Sequence, residues 1–199
     1  MKVVDENGNP AFAPIISHWA SAPLVTVTKD VERGHVYTVT LEHNGTRPDW
    51  TSSDYDYIAR IRPTNLSDPI AVDNKDNLLG RYFDQDMCDN SSHCDFWSGN
   101  TALIYMPLII GQDSAIENQV PNYIGTWDTT TLKVIGVDNC STFWTTPNDD
   151  ALTIDGTSDL HTYDVTANEK AGSHQIDVKV SKTADDNGGQ VTINLSHTL

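Results

Sequence analysis

The chain is short of basic residues, of cysteine and of helical patterning, and each shortage disfavours a class of function. Twelve Lys and Arg stand against 28 Asp and Glu, for a formal net charge of −16. That field repels a phosphate backbone, and no Lys/Arg cluster counters it, so a nucleic-acid partner is disfavoured and an anionic membrane surface with it. No apolar run approaches the roughly 18 residues of a membrane span. The longest, Thr101 to Ile110, is broken by Pro107, so no membrane insertion is expected. The opening residues Met1 to Glu6 contain no apolar h-region, and no signal peptide is visible. That leaves an intracellular protein, a secreted chain whose leader has been removed, or one that leaves the cell by another route, as a virion protein does.

Cysteine is scarce, at three residues in 199. Cys88 and Cys94 flank the polar stretch Asp89 to His93, a spacing that suits a short disulfide-closed loop and an oxidising compartment. Cys140 is then the odd thiol, either buried or paired to another chain. Glycosylation sequons also point outward. Five occur, at Asn44, Asn65, Asn90, Asn139 and Asn194, and they carry meaning where the source glycosylates secreted proteins.

What the chain has instead is period-two alternation. His161, Tyr163 and Val165 oppose Thr162, Asp164 and Thr166. Ile176, Val178 and Val180 oppose Asp177, Lys179 and Ser181. Val191, Ile193 and Leu195 oppose Thr192, Asn194 and Ser196. Successive side chains of a strand point to opposite faces, so each segment reads as a half-buried strand. Further strands are expected at 24–28, 35–42, 57–62, 70–72, 78–83 and 151–154, and 123–137 reads as one long strand or two, with Gly125 and Gly136 marking bends or bulges. The run 101–110 reads as one strand buried on both faces, and residues 111–122 have room for one helical turn. Residues 46–56, 84–99 and 139–150 read as long loops.

About nine to eleven strands joined by turns, with no sustained helical period, imply a single all-β domain over residues 1–199, a Greek-key β-sandwich. The stretch Tyr163 to Ala167, the turn Ala171-Gly172-Ser173-His174 and the strand Ile176 to Val180 together resemble immunoglobulin-like and cupredoxin-like domains. The resemblance covers about 40 residues in a pattern common to such sandwiches, with a jelly roll as the alternative. It brings no functional residue with it.

Chemistry is sparser. A blue-copper site needs two His, a Cys thiolate and a weak axial ligand. Cys140 is followed by Ser141, Thr142, Phe143 and Trp144 with no nearby His, which argues against copper. His35 and His43, or His161, His174 and His197, make at most a His-only site, weighed against unrelated surface histidines. Calcium wants several oxygen ligands. Asp73, Asp76, Asp84 and Asp86 lie in an oxygen-rich stretch and are the candidate ligands of a structural calcium, although Lys75 interrupts any EF-hand pattern. The competing reading is solvated turns, where Asp and Asn are favoured in any case. No GxSxG elbow, P-loop, HExxH or strand-linked GxGxxG occurs, and 28 acidic residues make a chance carboxylate pair undiagnostic.

Aromatic residues in the expected loops are the best remaining signal. Trp50, Tyr55, Trp97, Phe143 and Trp144 all fall in expected loops or at strand ends beside Asp, Ser, Thr or Asn, and Trp50, Tyr55, Trp97 and Trp144 are the expected contact residues. A flat apolar face next to hydrogen-bonding groups suits a sugar ring or a protein anchor, against the plainer role of capping the core. The sequence therefore leads to a non-enzymatic module working outside the cell, on a cell surface or on a virion. Its role is recognition or structure, with a glycan or protein surface as partner. The alternatives are a self-assembling capsid, spike or filament subunit, and a metal-dependent or carbohydrate-active enzyme.

Overall fold

The computed structural model describes residues 1–16, 27–40, 58–61, 70–73, 78–80, 85–88, 101–111, 123–145, 150–156, 161–170, 172–183 and 189–199. Of residues 58–61, 73, 79–80 and 85–88 the backbone alone is described. The described residues form strands and no helix. In chain order these are β1 (Lys2–Val4), β2 (Val36–Thr40), β3 (Ile58–Ile61), β4 (Ile70–Asp73), β5 (Leu78–Gly80), β6 (Gln85–Cys88) and β7 (Thr101–Tyr105). Then come β8 (Leu108–Gly111), β9 (Thr129–Ile135), β10 (Ser141–Thr145), β11 (Leu152–Gly156), β12 (Thr162–Ala167), β13 (Gln175–Thr183) and β14 (Gln190–Thr198).

All described pairings are antiparallel. One sheet has the order β1-β2-β7-β4-β5, a second β11-β12-β9-β8, a third β10-β13-β14, and β3 pairs with β6 alone. From β9 to β14 the chain alternates between the second and third sheets. Their inner faces meet in one core of Leu132, Val134, Val165, Ile176, Val178, Val180 and Ile193, joined by Ile70, Val72 and Tyr105 from the first sheet. Sheets packed through a shared apolar layer are the sandwich principle. The pairings do not establish a Greek-key order.

The alternating C-terminal segments behave as their pattern dictates. Ile176, Val178, Val180 and Ile193 are fully buried, while Lys179 and Asn194 on the other face are exposed. Burying each such aliphatic side chain is worth about 1.5–3 kcal/mol, which fixes which face turns inward. Their register is regular: nine consecutive pairs join β13 to β14, from Gln175↔Thr198 to Thr183↔Gln190.

Three expectations need correction. The run 101–110 is two strands in two sheets, divided at Met106-Pro107. Proline has no N–H for a ladder, and here the chain passes from β7 to β8. Residues 139–150 are not all loop, since β10 pairs with β13 from Ser141↔Ser181 to Thr145↔Asp177. The polar stretch 84–99 contains a strand, β6. Short strands with polar alternate positions carry too little apolar signal to be seen locally. Of the expected 24–28 strand, Val27 and Thr28 are described and lie outside any strand. The helical turn expected in 111–122 lies outside the described residues but for Gly111, which ends β8.

Candidate functional site

Trp144 is the one expected contact residue whose side chain is described, and it is a core residue. It sits on β10 with only 6% of its surface exposed, its ring 5.0 Å from that of Tyr163. In β10 the even positions turn inward, so residue 144 points into the sandwich and residue 143 out of it. Trp144 therefore packs in the core and offers a ligand almost no surface, contrary to the expectation from sequence. Trp50, Tyr55 and Trp97 lie outside the described residues. So do Asp76, Asp84 and Cys94, which leaves the Cys88–Cys94 bond outside them too. Asp73 ends β4 opposite Ala102, and Asp86 lies on β6 opposite Arg60, in separate sheets. Among the described residues no three His, Cys, Asp or Glu side chains converge as a metal site. Cys140 is a buried free thiol whose pKa burial pushes up to about 11, a setting for an inert cysteine.

A cleft of about 320 Å³ opens near the N-terminus, between Asp5, Asn9 and Pro10 on one side and Asp30, Val31 and Glu32 on the other, with His35 and Tyr37 also lining it. One of its lining acids, Asp5, and the neighbouring Glu6 are already engaged by the chain itself. Asp5 Oδ1 accepts the backbone N–H of Asn7 at 2.9 Å and of Asn9 at 2.7 Å, and Oδ2 accepts the Asn9 amide at 2.9 Å. Glu6 pairs with His35 Nδ1 at 3.0 Å and accepts the Val36 N–H at 3.2 Å. Tyr37 donates to the Glu32 carbonyl and accepts the Glu32 N–H. Partial burial opposes ionisation of Glu6, but its own amide, His35 and the Val36 amide outweigh it and hold its pKa below the usual value. Acids satisfied in this way close a turn onto β2; they are structural.

The better candidate surface was missed from sequence. Residues Gly125 to Asp128 make a turn in which the Asp128 N–H donates to the Gly125 carbonyl at 2.9 Å. Trp127, the third residue of that turn, has φ 67°. The other described residues with φ in the left-handed region are Asn139 and glycines, among them Gly8, Gly34 and Gly136, the residues that tolerate it. A bulky side chain there is a genuine outlier. Two bonds pin the turn to the end of β12: Trp127 N–H to the Ala167 carbonyl at 2.8 Å, and Ala167 N–H to the Asp128 carbonyl at 3.0 Å. A Cβ at residue 125 would lie 2.4 Å from Asp128 Oδ2, so Gly125 lets that carboxylate sit close against the turn. The result is an indole 64% exposed, with Tyr123 on the same segment 83% exposed. Ile124 between them packs against the core and anchors the segment.

Next to this turn lies the outer face of β11-β12-β9. Register places Thr153, Thr166 and Thr129 in one row and Asp155, Asp164 and Thr131 in the next. Thr129 and Thr166 share a hydroxyl hydrogen bond of 2.8 Å, and Thr131 donates to Asp164 Oδ1 at 2.7 Å. Hydroxyls and carboxylates are thus held in fixed positions two residues from an exposed indole. The signal available in sequence was Gly125 in Gly125-Thr126-Trp127-Asp128, which reads as a bend or bulge within 123–137, whereas Trp127 itself was not singled out.

The outer face of β10-β13-β14 is polar as well, in rows Phe143–Lys179–Asn194, Ser141–Ser181–Thr192 and Thr145–Asp177–Ser196. Two sequons fall on described residues, Asn139 in an exposed turn and Asn194 in the middle of this face.

No known family matches this chain, and searches of curated proteins and of solved structures return no significant match.

Proposed function

We propose that the protein is a non-enzymatic recognition module that works outside the cell and binds a glycan at the Trp127 turn. The observation that carries this reading is Trp127 itself, a large apolar ring left in solvent at a backbone conformation costing about 1–3 kcal/mol. Strain of that size persists where the surrounding bonds impose it, and such positions cluster at binding sites. The negative face of an aromatic ring attracts the positive C–H edge of an apolar surface, and a sugar ring offers that edge with hydroxyls around it. The Thr and Asp rows of β9, β11 and β12 supply the matching donors and acceptors. Carboxylates at Asp128, Asp155 and Asp164 favour a neutral sugar over an acidic one.

The test is titration of the full chain with soluble oligosaccharides of cellulose, xylan, mannan, chitin and starch, followed by calorimetry or intrinsic fluorescence. Binding should quench or shift Trp127 emission. The Trp127→Ala variant should lose at least about tenfold in affinity, roughly 1.4 kcal/mol, with an unchanged circular dichroism spectrum. Equal binding by variant and wild type would remove the site.

A further inference from the structure

The third sheet presents a surface that the Trp127 site does not use. The inner faces of the second and third sheets share one core, so their outer faces look away from each other. The ladder from β13 to β14 runs through nine pairs without a register shift, and β10 adds five more on its other side. At the middle of β10 stands Phe143, 64% exposed and without a polar atom of its own. Across the sheet from it lie Lys179 and Asn194, both exposed. Most other outward positions are hydroxyl or amide side chains, which both donate and accept.

Three properties narrow what such a face fits. The first is charge. Asp177 and Lys179 cancel, so this face is neutral on a chain of net charge −16. The second is preorganisation: Asp177 Oδ1 accepts Gln175 Nε2 at 2.6 Å and Ser196 Oγ at 2.7 Å, which holds both partners in place before any ligand arrives. The third is size. Nine residues at about 3.4 Å by three strands at about 4.8 Å make a face of about 400 Å². A stable protein–protein interface takes about 800 Å² of accessible surface from each partner, so a protein partner would have to reach beyond the flat extent of this sheet.

We infer that the outer face of β10-β13-β14 is a second carbohydrate contact, which lies flat on the surface of an ordered, neutral polysaccharide. Phe143 covers the apolar face of a sugar ring, and the Ser, Thr, Asn and Gln rows exchange hydrogen bonds with hydroxyls on either side. A long regular ladder suits a planar, repetitive ligand, whereas the single pinned turn at Trp127 suits one end or loop of a soluble chain.

The experiment is partition of the full chain onto suspended cellulose, chitin and insoluble β-1,3-glucan, alongside titration with soluble oligosaccharides of the same sugars. Wild type should be retained on at least one suspension. Phe143→Ala should lower that retention about tenfold, and Asn194→Ala by a smaller factor, with soluble binding unchanged for both. Three results would overturn the inference: no retention of wild type on any suspension, equal retention by Phe143→Ala, or sedimentation showing that Phe143→Ala dissociates an oligomer, which would make the face a contact between copies. The Trp127 reading fails separately, when Trp127→Ala leaves soluble binding intact while Phe143→Ala still releases the protein from the solid.

Discussion

Among the described turns that hold a residue in the left-handed region, two meet that demand in opposite ways. In the turn Asp5 to Asn9 the position is Gly8, at φ 83°, with open space around a would-be Cβ. In the turn Gly125 to Asp128 it is Trp127, at φ 67°. The first turn spends its polar groups on itself: Asp5 takes the amides of Asn7 and Asn9. The second is pinned from outside by Ala167 and leaves its largest side chain in solvent. A turn that only reverses the chain takes the unstrained residue. A turn that carries a strained, exposed indole is what the proposed glycan site would need and glycine could not supply.

The largest effect tests whether exposure and burial separate the two tryptophans that matter. Trp144→Ala removes a core ring packed on Tyr163 and should cost about 3–5 kcal/mol, seen as a large fall in the urea midpoint. Trp127→Ala should move that midpoint little. Equal losses would mean that Trp127 also supports the fold, and the contrast between the turns would collapse.

A smaller effect of opposite sign sharpens the contrast. Trp127→Gly relieves the left-handed conformation and should raise stability by about 1 kcal/mol while abolishing glycan binding. Gly8→Ala should lower stability by about 1 kcal/mol and leave binding alone, because its Cβ meets nothing and the cost is conformational only. Thermal melts of the two variants read both shifts. A Trp127→Gly variant less stable than wild type would show that the ring, and not a ligand, justifies the strain.

How much of this was legible in the chain follows from what each feature depends on. The strands β12, β13 and β14 were visible because alternation is local and burial follows it: Ile176, Val178 and Val180 lie inside, Asp177, Lys179 and Ser181 outside. The all-β class followed from the same signal. β10 was hidden because Ser141, Thr142, Thr145 and the adjacent Phe143-Trp144 pair show no clean period, and its inward side is set by pairing with β13. That pairing moved Trp144 from candidate ligand contact to core. In 123–137 Gly125 marked a bend, and a turn does begin there, but nothing in the residue pattern singled out Trp127. Backbone dihedral angles decide that, and no residue pattern reports φ at a tryptophan. Of the four rings that the aromatic-beside-polar argument chose, Trp144 lies in the core, and Trp50, Tyr55 and Trp97 lie outside the described residues.

The smallest effect concerns the acid limit of the first turn. Glu6 ionises below its ordinary value because donors from His35, Val36 and its own amide outweigh its partial burial. A carboxylate with a depressed native pKa stabilises the fold fully above its unfolded pKa, near 4.5, and that stabilisation is lost as pH falls through the native value. Asp5 moves in the same direction, lowered chiefly by the Asn9 side-chain amide, but it is fully exposed. Glu6→Gln should therefore cost a little stability at neutral pH and flatten the decline between about pH 5 and about pH 3. Urea midpoints across that range measure it. The second turn has no such carboxylate in its pins, both of which are backbone bonds to Ala167, so Trp127→Gly should keep the wild-type pH slope. If Glu6→Gln kept it as well, the acid limit would not come from Glu6, and the side-chain support of the first turn would rest on Asp5 and its bonds to Asn7 and Asn9.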